Sequence, residues 1–111
     1  MTNKTEEIID TFGIKNKNTI SYIYNDIKHK IIITKESIIL IRENNDFNHE
    51  LIFKLNTMTK TEYYIKEYNT SIDIYIKTTK INTSDYKIEI NYEIEDTRDN
   101  YLYILEMSEK I

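Results

Sequence analysis

"KHKIIITKESIILIRENN", residues 28–45, sets two apolar runs on either side of Lys35-Glu36. A strand with one dry face needs an apolar side chain only at every second position. Here apolar residues occupy consecutive positions, Ile31 to Ile33 and Ile38 to Ile41. Reading Lys35-Glu36 as a two-residue turn pairs Thr34 with Ser37, Ile33 with Ile38, Ile31 with Leu40 and His29 with Arg42. Directly opposed residues share a face, and a slip of one residue exchanges every face. One face then carries Ile31, Ile33, Ile38, Leu40, His29 and Arg42. It is the drier at its centre and is predicted to point inward. The other face leaves Ile32, Ile39 and Ile41 outward as a compact apolar patch. Such a patch asks for a cover, either the N-terminal segment with Ile8, Ile9 and Phe12 or a second copy of the protein. The plainer reading is scattered surface isoleucine, which is normal in soluble proteins. Lys-Glu is an unusual two-residue turn, since such hairpins favour Asn-Gly.

Working outward, the same grammar repeats. Proline is absent and Gly13 is the only glycine, so polar clusters supply the punctuation. They are "KNKN" 15–18, "ENNDFN" 43–48, "NTMT" 56–59, "EYNT" 67–70, "TKINTSD" 79–85 and "EDTRDN" 95–100. Asn and Asp accept left-handed turn conformations and stand in for glycine. Between the clusters lie runs of strand length. In "SIDIYIKT" Ile72, Ile74 and Ile76 share a face, and in "YKIEINYEIE" so do Tyr86, Ile88, Ile90, Tyr92 and Ile94. Glu89, Glu93 and Glu95 fall on the opposite, wet side. "HELIFKL" puts Leu51, Phe53 and Leu55 inward, and "TEYYIKE" does the same for Tyr63 and Ile65. "TISYIYN" and "YLYILEMS" complete the set, while residues 4–12 read as a first strand or a short helix. The fold class is all-β, one antiparallel barrel or sandwich domain over residues 1–111.

Composition agrees. Isoleucine is about a fifth of the chain, tyrosine occurs 10 times and alanine is absent. β-Branched and aromatic residues suit a pleated, half-buried surface. The net charge is −4 and the Lys residues are scattered among more numerous acids, which argues against nucleic acid and anionic membranes. Without cysteine there is no disulfide framework and no thiolate chemistry. "MTNKTEEIIDTF" has no apolar signal core and no stretch is long enough to span a bilayer, so a bacterial-type cytoplasm is the expected setting.

The order of these motifs resembles the YwiB-like family, small bacterial calycin-like (lipocalin-like) β-barrels described as a domain of unknown function. "KHKIIITKESIILIRENN" is similar to its hairpin, whose second strand ends in an Arg before a polar turn, here Arg42. "HELIFKLNTMTKTEYYIKEYNTSIDIYIKTTKI" resembles the next block, closing on Thr78, and "KIEINYEIE" a late strand with a central Tyr, here Tyr92. The resemblance covers about residues 12–109. Two departures stand out: "EYNTS" replaces a turn that in the family contains Pro and Gly, and the N-terminal strand looks shortened. The resemblance implies a barrel of about eight antiparallel strands and brings no catalytic residues with it.

Chemistry is sparse. His29 and His49 are not spaced as a metal pair, and "HELIF" lacks the second His of a zinc-protease helix. A chain with one glycine cannot build a Gly-rich phosphate loop. "EDTRDN" lacks the glycine and distal Glu of an EF-hand and reads as a turn. The expectation is therefore no enzyme, no cofactor and no metal. An eight-stranded barrel holds packed side chains or one small ligand. Arg42 at the inward rim could fork onto a carboxylate or phosphate, with His29, Tyr63, Tyr92 and further tyrosines such as Tyr24 and Tyr103 as lining. Alternatively Arg42 sits at the barrel end with its stem packed and its head in water or paired with an acid such as Glu50. Arg42 beside His29 would lower the histidine's pKa. The expected role is binding a small apolar or anionic molecule inside or at the rim. The alternative is a non-enzymatic structural or interaction module, homodimeric through Ile32, Ile39 and Ile41.

Overall fold

The computed structural model of the chain describes residues 13–107. Nine antiparallel strands form one sheet in strict chain order. They are β1 (Gly13–Asn16), β2 (Thr19–Tyr24), β3 (Ile27–Ile33), β4 (Ile38–Glu43), β5 (Phe47–Phe53), β6 (Met58–Ile65), β7 (Thr70–Thr83), β8 (Lys87–Ile94) and β9 (Asn100–Glu106). No described residue is helical, and no helix is long and apolar enough to cross a membrane. The segment bearing Ile8, Ile9 and Phe12 lies outside the described residues.

The hairpin of β3 and β4 has the register read from sequence: Ile33 opposes Ile38, Ile31 opposes Leu40 and His29 opposes Arg42. Its turn works without Asn-Gly because hydroxyls brace it. The Thr34 N–H donates to Ser37 O at 2.9 Å, the Ser37 N–H donates to Thr34 Oγ1 at 3.0 Å, and neither Lys35 nor Glu36 has positive φ. The β2–β3 turn is the left-handed kind, with Asn25 at φ 51° and Asp26 at φ 60°. Asn56 and Asn69 adopt the same conformation at φ 57° and 49°.

Three sequence expectations need correction. The polar run 79–85 does not end a strand: β7 continues to Thr83, and a bulge at Thr79 shifts its register against β8. The extra residue is absorbed locally, Thr79 Oγ1 donating to Asn91 O at 3.3 Å. Leu55 is not inward, because β5 stops at Phe53 and leaves it 47% exposed. Tyr86 lies before β8 begins and is also exposed.

Alternation sends one face of each strand into a common core. Ile31, Leu40, Phe53, Ile76, Ile88 and Ile90 are fully buried there, with Thr61 and Thr78 among them. The Phe53 ring meets that of Tyr92 at 5.1 Å, so β5 and β8 face each other across the concave side. Lys15 Nζ donates to Asp85 O at 2.9 Å and the Met107 N–H to Tyr86 O at 2.7 Å, drawing both edges toward the β7–β8 turn. Yet β1 and β9 do not pair. The expected barrel of about eight strands, its N-terminal strand shortened, is over the described residues a curled half-barrel of nine.

β1 is four residues long and depends on a close approach. A Cβ at Gly13 would stand 2.9 Å from Ser21 O and 3.2 Å from Tyr22 Cβ. Gly13→Ala should therefore push β1 away from β2 at a cost of about 1 kcal/mol. Hydrogen exchange would show weaker protection of the Lys15 amide; unchanged protection and stability would refute the crowding argument.

Candidate functional site

Register builds the site. Opposed residues run in one inward line across five strands: Tyr22, His29, Arg42, His49 and Tyr63. Each comes from the alternation that buries the core one rung further along. Tyr22 stacks on His29 at 4.5 Å with 6° between the rings. On the other side His49 meets Tyr63 edge-on at 5.1 Å, and Phe47 stacks on Tyr63 at 5.2 Å. The line is thus an arginine between two histidines, each propped by a tyrosine. From the far wall of the half-barrel come Tyr92 on β8, stacked on Tyr101 at 5.4 Å, and Tyr103 on β9. The field of Arg42 reaches both of them.

Electrostatics mark this line off from the rest of the molecule. Burial lowers the pKa of His29 from 6.5 to about 4, and the Arg42 charge lowers it further in the same direction. His49 is lowered from 6.5 to about 4 by the same two causes in the same order. Both imidazoles are therefore neutral at pH 7. Burial pushes the Tyr92 and Tyr103 hydroxyls up, against the pull of Arg42. Tyr103 lies beside Tyr22 closely enough to interact, but its hydroxyl makes no well-formed hydrogen bond. Arg42 Nε, His29 Nδ1 and His49 Nε2 are likewise buried without a hydrogen-bond partner. Buried polar atoms are normally satisfied, so several orphans on one line form a set of unused contacts.

Among the described residues Arg42 forms no ion pair with an acid. The ion pairs among the described residues are Lys60–Asp73, Lys80–Glu89, Lys87–Glu89 and Arg98–Glu93. Glu50, the acid weighed as its partner, stands opposite Ile41 and Glu62 on the outer face. The wet-face reading of Glu89 holds, with Lys80 holding its carboxyl below the usual range. Among the described residues no group of three or more His, Cys, Asp or Glu could hold a metal ion.

The structure places His29, Arg42, Tyr63 and Tyr92 on the concave side and brings the first two into direct opposition. Tyr63 joins through His49 rather than touching Arg42 by register. Sequence reasoning passed over His49 and Tyr22. The signal for His49 was present: it shares the parity of Leu51 and Phe53 in "HELIF". Ile32, Ile39 and Ile41 are outward and half-buried. Comparison with known proteins finds no matching family model, no matching curated protein and no matching solved structure.

Proposed function

We propose that the protein binds a small anionic molecule, carboxylate or phosphate in chemistry, at the open end of the half-barrel through Arg42. The observation that carries the reading is an arginine with a buried, unpartnered Nε, set between two uncharged histidines and free of any carboxylate ion pair among the described residues. An unpaired buried charge costs stability, and an arginine fork is shaped for a two-oxygen anion. His29, His49, Tyr92 and Tyr103 would complete the contacts. Close-packed side chains such as Phe53 and Leu40 fill the centre below, which favours the rim over a deep apolar guest. Binding is favoured over catalysis because the inward line carries no carboxylate to work with either histidine as an acid–base pair.

Kinship with the YwiB-like, calycin-like barrels belongs to the same proposal, supported by the antiparallel meander and by Arg42 at the end of the β4 hairpin. So does a cytoplasmic setting, supported by the acidic, cysteine-free composition.

Native mass spectrometry of untagged protein, purified gently from its own cells, tests the reading. The expected result is a mass excess lost on denaturation and absent from Arg42→Ala. A clean apo mass, together with no thermal shift in millimolar phosphate, citrate or acetate, would overturn it.

A further inference from the structure

The outward face of β2–β6 also runs in register. One row reads Thr19, Ile32, Ile39, Ile52. The next reads Ser21, Lys30, Ile41, Glu50, Glu62, and the third Ile23, Lys28, Glu43, Asn48, Tyr64. Strand β4 is the middle of the last two, and in the first Ile32 and Ile52 flank Ile39. On its β3 side the outward charges are Lys28 and Lys30; on its β5 and β6 side they are Glu50 and Glu62, with Lys60 further along β6 paired to Asp73. Isoleucines lie along the centre, and Ile23 at the margin is 60% exposed.

We infer that this face is a two-fold interface with a second copy of the chain, its axis lying along β4. A two-fold axis in the plane of an interface makes each position on one side of the axis meet its mirror position on the other. Ile39 then meets the partner's Ile39, and Ile41 the partner's Ile41. Ile32 meets the partner's Ile52. Lys30 meets the partner's Glu50, and the pair occurs twice. Glu43, on the axis, is flanked by Lys28 of its own chain and by the partner's Lys28, which offsets the like-charge approach. The charge pattern selects this occupant: in the row through Ile41, Lys30 on one side of the midline and Glu50 on the other make the row complementary to itself. Sheets pack face to face about 10 Å apart with strands roughly aligned, which this axis allows. Because the sheet is curled, contact is confined to the ridge of β3, β4 and β5. This face is separate from the Arg42 site, so either inference stands without the other.

The full chain should elute and fly as a dimer at about 100 µM by light scattering and native mass spectrometry. Ile39→Lys should give a monomer, because two charges are then buried against each other on the axis. Lys30→Glu and Glu50→Lys should each weaken dimerisation roughly tenfold or more, since each substitution creates two like-charge contacts. The double exchange Lys30→Glu with Glu50→Lys should restore the dimer to within a few-fold of the original. Lys30 and Glu50 are exposed, so these variants keep the fold, which circular dichroism checks. A wild-type monomer at that concentration overturns the inference, as does a dimer that survives Ile39→Lys. A double exchange no tighter than its singles overturns it too.

Discussion

Between pH 6.5 and about 4 the protein is expected to lose a large share of its stability, and two side chains account for most of the loss. His29 and His49 each titrate near 6.5 in an unfolded chain and near 4 in the folded one. Between those values the unfolded state binds more protons, so stability rises with pH across the window and falls as acid is added. The contribution is complete above pH 6.5 and gone below about 4. Each pH unit that separates the folded from the unfolded titration corresponds to about 1.4 kcal/mol; discounted by roughly half for solvent screening, the pair amounts to about 3–4 kcal/mol. That is a large fraction of the roughly 5–15 kcal/mol by which domains are stable. Urea unfolding from pH 7.5 down to 4.5 measures it. The midpoint should fall steadily in the wild type and much less in a His29→Gln, His49→Gln double variant. Equal midpoints at pH 7 and 5 would show that the imidazoles are not held neutral. The same physics links acid to binding: two imidazolium groups beside Arg42 raise the local positive charge, so an anion should bind more tightly near pH 5 and return part of the lost stability.

Arg42→Met is expected to make the apo protein more stable by about 1–3 kcal/mol, an uncommon direction for a substitution at a half-buried position. Methionine keeps most of the side-chain volume, adapts to irregular space and removes a charge that has no acid partner among the described residues. With the cation gone, both histidines also lose part of what depresses them, so the acid dependence should become shallower. In about 100-fold excess over its dissociation constant, an anion should stabilise the wild type by about 2.7 kcal/mol and leave Arg42→Met unmoved. The two effects are read in one thermal-shift experiment with and without ligand. A large loss of stability in the apo variant would mean that Arg42 holds the sheet together and serves packing rather than recognition.

The concave line could be largely assembled from sequence because strand alternation has a period of two and the β3–β4 turn is short. Once Ile31 is placed opposite Leu40, His29 must oppose Arg42. What register cannot supply is the curvature that carries Tyr92 and Tyr103 across to the arginine, since that depends on the twist accumulated over the intervening strands. Strand ends were the weak point. Leu55 continues the alternation of β5 yet falls past its last pairing, and Thr79 hides a bulge inside a run rich in turn-forming residues. The shortened N-terminal strand hinted at an open edge, but how far the sheet closes was illegible for a related reason. Whether β9 reaches β1 is a sum over eight small inter-strand rotations, and no local pattern encodes a sum.

A sheet whose every strand pairs only with its chain neighbour has consequences for the order in which it forms. Each pairing closes a short loop, so the loop entropy to be overcome at each step is small, and hairpins can add one after another without waiting for a distant partner. Contacts of great sequence separation are of another kind here: Phe53 with Tyr92, and Tyr22 beside Tyr103. Those can form only after the row of hairpins has curled. The register of the arginine line needs only neighbouring hairpins, whereas the approach of Tyr92 and Tyr103 to it needs the curl of the whole sheet.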